Sequence, residues 1–290
     1  MSASAISIQD EKLKSLGLRK IIANKEQVVS YSQAPIFAPD LPGYGASAPI
    51  EKNDKLTIGN VVLAALQTEF KRTSSKNLEI LPVVLIGHDR GARVVHHLAA
   101  HPPAGVSIKG VSLIDIVPTT IQWEASSKNP AEVVGYFHWP LLANVDLATR
   151  LITAFGPGNW CEEMCLRWAG KSPSGLASFK ADDSLSVYRQ FFSQEHTLIA
   201  SNKDYEAGAT VDVDVEKGWR NQRKKLDVEV LVVYSERYIG KRYDFPKVWG
   251  EWVEEGKLKT HALGSEIGHF GAEEAPEETA AVLNEWLKTL

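Results

Sequence analysis

The sequence predicts an α/β fold, a mostly parallel central sheet with helices on both faces, and three observations lead there. Four short segments, 34–41, 82–88, 108–117 and 228–235, are nearly continuous apolar runs, as strands become when both of their faces are covered. Longer stretches with helical spacing separate them, the pattern of crossovers between parallel strands. The chain of 290 residues is 44% hydrophobic and 23% charged, so it holds enough apolar material for a sizeable core and too much for a disordered chain. Its length suits one large α/β domain or two average ones.

Taken in order, the elements justify themselves as follows. LRKIIAN at 18–24 and QVVSYS at 27–32 flank an Asn-Lys-Glu turn and predict a hairpin. APIFAPDL at 34–41 predicts a strand, and so does PVVLIGH at 82–88, which runs straight into a helical pattern. IKGVSLIDIV at 108–117 and VEVLVVYS at 228–235 complete the sheet. Between these last two, residues 120–225 are rich in aromatics and lack a clear strand run. That segment predicts a helical lid over the carboxyl ends of the strands, where open sheets bind ligands. The core domain is then 1–119 with 226–290, and the lid is 120–225. The chain closes on a helix opened by Pro276 with Glu277 and Glu278 behind it, its apolar face marked by Ala280, Leu283 and Leu287.

Charge and cysteine content narrow the partners. A net charge of -4, with no block of Lys or Arg, argues against nucleic acid and against an anionic membrane surface. Cys161 and Cys165 lie four apart, on one face of a helix, without the second pair a structural zinc site needs, and read as reduced packing residues. No apolar window reaches the length of a membrane span, and the N-terminus lacks the apolar centre of a secretion signal. The expectation is a soluble, cytoplasmic protein with a small-molecule partner. Oligomeric state is left open, a homodimer included.

The chemistry concentrates in VVLIGHDRGARVVHHLAAHPP. A buried strand ends, Gly87 and Gly91 bracket Asp89, and a helix follows at once, which is the Gly-x-nucleophile-x-Gly elbow that thrusts its central side chain out of a sharp turn. The central residue here is a carboxylate, a competent nucleophile toward carbon that bears a leaving group, and the product is an ester. Arg90 and Arg93, three apart, share a helix face beside it and suggest an anionic substrate. The Arg90 backbone N–H is an expected oxyanion donor.

Hydrolysis of that ester needs a base. Of the eight histidines, His269 lies in a Gly-bounded loop between the last strand and the terminal helix, and is the candidate general base. His96, His97 and His101 belong to the elbow helix and read as packing or solvent-facing residues. Asp115, an acid inside an apolar run, needs a partner and is the candidate to orient His269. Its rival is Glu236, just after VEVLVVYS.

With these residues in place the chain resembles the Asp-nucleophile branch of the α/β-hydrolase superfamily, and within it the haloacetate (fluoroacetate) dehalogenases, with the soluble epoxide hydrolases as relatives. The resemblance runs from about Ala34 to the C-terminus. It rests on DLPGYGAS at 40–47, GHDRGAR at 87–93, DIVPT at 115–119, YFHW at 136–139, DYEAGATVD at 204–212 and GHFGAEEAPEET at 268–279. It implies an α/β-hydrolase fold with the lid after the sixth-strand equivalent, Asp89 as nucleophile, His269 as base and Asp115 as acid. Arg90 and Arg93 would hold a substrate carboxylate, and His138, Trp139 and Tyr205 would cradle a departing halide with N–H and O–H donors. No metal or organic cofactor is implied. In epoxide hydrolases two lid tyrosines protonate the epoxide oxygen, a part open to Tyr136 and Tyr205.

The chain departs from that family at one place. Relatives carry another strand and a His-Gly-x-Pro loop between the hairpin and the APIFAPDL segment, whereas here Ser32 runs almost directly into Ala34 and no His-Gly pair occurs. The N-terminal part of the sheet is therefore expected to be shortened, and the loop that supplies the second oxyanion donor is absent. Three readings follow: a dehalogenase-like hydrolase of a small carboxylate, an epoxide hydrolase, and a non-catalytic binding protein on the same fold.

Overall fold

The computed structural model describes residues 19–23, 26–30, 36–74, 78–264 and 266–290. Strands β1 (Arg19–Ala23) and β2 (Glu26–Ser30) pair antiparallel with Ala23 opposite Glu26. They form the expected hairpin, whose turn and flanking residues 18, 24, 25, 31 and 32 lie outside the described residues. Helix α1 (Lys55–Thr73) begins where the Asp54 carboxylate accepts the Thr57 N–H, satisfying one of the donors a helix start leaves free. There follow β3 (Leu81–His88), α2 (Arg90–Ala100) and β4 (Val106–Ile114).

Helices then occupy the interval before the next strand: α3 (Thr119–Lys128), α4 (Pro130–Gly135), α5 (His138–Leu142), α6 (Val145–Phe155), α7 (Pro157–Trp168), α8 (Pro173–Phe179), α9 (Ser184–Phe192), α10 (Glu195–Ala209) and α11 (Val211–Asn221). The chain ends with β5 (Glu229–Ser235), α12 (Phe245–Gly250), β6 (Leu258–Leu263), α13 (Gly271–Glu274) and α14 (Pro276–Leu287). None of the helices among the described residues is long and apolar enough to cross a membrane.

Strands β3, β4, β5 and β6 form one four-stranded sheet in that order, with every neighbouring pair parallel. The inner strands are buried on both faces, Val111, Leu113, Val230 and Val232 being fully inaccessible, and each such side chain contributes about 1.5–3 kcal/mol. One face packs against α2 and α12 through Val95, Leu98, Phe245 and Trp249, and the other against α14 through Ile114, Leu231, Leu263 and Trp286. A third apolar cluster, with Trp139, Leu142, Ile152, Leu198 and Tyr205, lies within the helices between β4 and β5.

Two expectations need correction. Residues 36–41 of APIFAPDL form no strand. Pro39 has no N–H to give a ladder, and no described strand lies beside it. The chain turns instead: the Asp40 carboxylate accepts the Ala46 N–H, the Tyr44 N–H donates back to Leu41 O, and the Gly43 N–H donates forward to Ala48 O. For the same reason β3 is the edge of this sheet among the described residues, with Ile86 46% exposed, and not the doubly covered strand its sequence suggests. The second correction shortens a strand: β4 stops at Ile114, because Asp115 turns into left-handed backbone at φ 56.

Candidate active site

The elbow forms where β3 meets α2. Between them Asp89 adopts φ 46 and ψ -114, a strained conformation for a residue with a side chain. Two backbone bonds hold it there, from its own N–H to Ile114 O (3.3 Å) and from the Arg93 N–H to its carbonyl (3.1 Å). The turn is tight enough that a Cβ at Gly87 would lie 2.5 Å from the Gly91 backbone, while a Cβ at Gly91 itself would meet nothing within 4 Å.

His269 reaches the elbow from the loop after β6. Its Nδ1 lies 2.7 Å from Asp115 Oδ2 and its Nε2 3.8 Å from Asp89 Oδ1. The other oxygen of Asp115 accepts the N–H and O–H of Ser235 at 2.8 and 2.7 Å, so the carboxylate is fixed from both sides. Glu236, the rival acid, is exposed. Burial works against charge on His269, but the hydrogen bond to Asp115 and the nearness of Asp89 outweigh it and raise the imidazole to about 10. Burial likewise opposes charge on Asp89, yet His269 and Arg90 hold its carboxyl well below the usual range. The two groups form a partly buried ion pair.

The structure separates the two arginines. Arg93 borders a chamber of about 30 Å³ together with Asp89, Asp115, His138, Trp139, Tyr205 and His269. Its Nη1 donates to Val117 O and Thr119 Oγ1, both at 3.1 Å, and its Nε is buried without a partner among the described residues. Burial and the Arg90 charge both pull its pKa down. Arg90, expected beside it on the substrate, is turned away from the chamber. It pairs with the Asp204 carboxylate, donates to Asp204 O at 2.9 Å, and stacks 4.1 Å from the Tyr205 ring centroid. Lys55 binds the same Asp204 and also Asp212 (2.9 Å). The sharing of Asp204 ties α1 and α10 to the elbow helix.

His138, Trp139 and Tyr205 do meet on the chamber wall, with the His138 and Trp139 rings 5.7 and 5.9 Å from Tyr205. Burial lowers His138 to about 3, so it is neutral, and its Nδ1 has no hydrogen-bond partner among the described residues. Burial and the Asp89 charge raise Tyr205, which keeps its proton.

Sequence reasoning missed several neighbours. Gln122, Trp168 and Tyr238 also border the chamber, as does Tyr136. His88 supports His269 from behind, its Nε2 donating to His269 O (2.7 Å) and its ring 4.6 Å from the imidazole. Burial first, and His269 second, lower His88 to about 4, leaving it neutral. Glu274 shapes the loop by accepting the N–H groups of Gly268, Phe270 and Gly170. Its position five residues after His269 was the available signal, since an acid near a helix start attracts free N–H groups.

His96 and His97 are buried packing residues against Trp219, Trp249 and Trp252, and His101 lies tilted against Trp219 at the surface. His96, His97 and Glu216 bring three groups of metal-ligating type together. None of them borders the chamber, and Glu216 is also bonded to Thr120 N–H and O–H. Cys161 and Cys165 are free thiols on α7.

Residues 25–282 match the model of a family described as the alpha/beta hydrolase family. A fluoroacetate dehalogenase from Burkholderia sp is 26% identical over 254 residues, covering 87% of this chain and 78% of that protein. A solved structure assigned as an epoxide hydrolase from Pseudomonas aeruginosa superposes with a TM-score of 0.72 at 26% identity, over 87% of this chain and 78% of that one. The epoxide hydrolase CorEH shares the fold, with a TM-score of 0.72 at 18% identity over 94% of this chain and 98% of its own.

Proposed function

Because the chain belongs to the alpha/beta hydrolase family and is a hydrolase, we propose that it cleaves a carbon–leaving-group bond in a small carboxylate by way of an ester on Asp89, as a haloacetate dehalogenase does. The observation that carries this reading is one chamber in which a carboxylate on a strained elbow faces an imidazole backed by a second carboxylate, with the Arg93 cation on the wall. The chamber has room for only a few heavy atoms. The helices between β4 and β5 supply His138, Trp139 and Tyr205 to it, and act as its lid.

In the first step Arg93 binds the substrate carboxylate and an Asp89 oxygen attacks the carbon bearing the halogen. The carbon–halogen bond breaks, and the halide leaves with the bonding pair toward the N–H and O–H donors of His138, Trp139 and Tyr205. Asp89 is now a neutral ester, so the charge that held the proton on His269 is gone. The imidazole pKa falls, its proton is released, and His269 becomes the base. It takes a proton from water as the hydroxyl adds to the Asp89 ester carbon. The oxyanion forms beside the Arg90 N–H, one of the free donors at the start of α2. Collapse expels the hydroxy acid, whose alkoxide takes the proton from His269, and the Asp89 carboxyl left behind then gives its own proton to His269, which restores the ion pair. Asp115 orients the ring throughout.

A second reading is supported by Tyr136 and Tyr205, which both border the chamber and could protonate an epoxide oxygen. Halide release from fluoroacetate and chloroacetate, measured beside a panel of terminal epoxides, separates the two. Halide release abolished by Asp89→Asn is the expected result. Turnover of epoxides alone would favour the second reading.

A further inference from the structure

Gln122, on α3, is 1% exposed and borders the chamber that holds Asp89 and Arg93. The network behind it tells the two ends of its amide apart. Glu132 is ion-paired with Arg242 at 3.3 Å, and as a carboxylate it only accepts hydrogen bonds. Tyr243, 3.2 Å from Glu132, therefore gives its single hydroxyl proton to that carboxylate. With the proton committed, the Tyr243 oxygen can only accept from Gln122, and the 2.9 Å contact between them belongs to the amide Nε2. Tyr243 does not border the chamber and Gln122 does. The carbonyl Oε1 is thus held on the side away from Tyr243, buried and without a partner among the described residues.

A buried acceptor left unpaired is costly and rare in folded proteins. Arg93 stands close by: it donates to Val117 O and Thr119 Oγ1, at the start of the helix that carries Gln122 one turn further on. A cation for a carboxylate and an orphaned acceptor therefore border one small chamber. We propose that Oε1 of Gln122 is a substrate-recognition acceptor, and that the substrate carries a hydroxyl or N–H donor a few atoms from the carboxylate that Arg93 takes. The substrate class narrows to short hydroxylated or N–H-bearing carboxylates. This rests on the carboxylate-binding reading above.

The test needs no turnover. Wild-type protein, Gln122→Met and Tyr243→Phe are titrated calorimetrically with 3-hydroxypropanoate and with butanoate, which replaces the hydroxyl by a methyl group. Wild type should bind the hydroxy acid about tenfold more tightly, the effect of one well-placed hydrogen bond. Gln122→Met should bring the ratio near one while keeping the affinity for butanoate. Tyr243→Phe, off the chamber wall, should also lower the ratio, since the amide is then free to turn, and a residue that only supports the fold would change both affinities together. A wild-type ratio near one with butanoate bound would overturn this inference alone, as would a ratio that survives Gln122→Met. Binding of neither acid would overturn the carboxylate site and this inference with it.

Discussion

Asp89 and His269 control each other's protons. Apart, one is an ordinary carboxyl and the other an ordinary imidazole. Together in a buried chamber they hold charge of opposite sign, one pKa pushed down and the other raised to about 10. Arg93 stands outside that pair and can be tested alone. Arg93→Lys keeps the charge but loses the planar fork, so KM for chloroacetate should rise about tenfold while uncharged chloroacetamide is little affected. Equal losses on both would make Arg93 a support of the fold. At this scale the sequence was legible where chemistry and local motif coincide: Gly87, Asp89 and Gly91 define a turn, and Asp115 is an acid in an apolar run. Arg90 was not legible, because its partner Asp204 lies 114 residues away and no local pattern joins them. Gln122 gave no signal either, since its orientation depends on Tyr243 and Glu132.

The elbow depends on two glycines for different reasons. At Gly87 a methyl group would strike the backbone of Gly91, whereas at Gly91 it would meet open space. Gly87→Ala should therefore abolish activity and lower Tm, and Gly91→Ala should leave Tm within a degree or two, as thermal melts of the two variants would show. The elements most legible from sequence were those with neighbours on both sides. The runs that became β4 and β5 are apolar because they are covered, and both formed strands, β4 ending three residues earlier than expected. The run at 34–41 is just as apolar but formed no strand over 36–41, because hydrogen bonding in a sheet is a property of pairs of strands, and apolarity alone does not reveal whether a partner exists.

Across the whole molecule the partly buried ion pair couples stability to pH. His269 binds its proton more tightly in the folded state, at about 10, than in the unfolded chain, at about 6.5. The folded state has the full benefit below about pH 6.5 and loses it as pH rises toward 10. Wild-type Tm should fall by roughly 5 °C or more over that interval, and the fall should be smaller in His269→Gln. The fold itself was legible as a class, and among the described residues β3 lies at the edge of the sheet, in keeping with the shortened sheet expected where the sequence has no further strand segment between the hairpin and residue 34. The same absence bears on the chemistry, because the resemblance would place a second oxyanion donor in a His-Gly loop that the sequence does not contain. Displacement at carbon needs no oxyanion donor and ester hydrolysis does, so the second step should be slowed by roughly 10²- to 10³-fold and the ester should accumulate. Intact-protein mass spectrometry after incubation with chloroacetate tests the account most directly. The expected result is a mass increase of one carboxymethyl group located on Asp89, persisting in His269→Gln and absent in Asp89→Asn. Steady halide release from wild type, with no adduct on Asp89 in either wild type or His269→Gln, would contradict it.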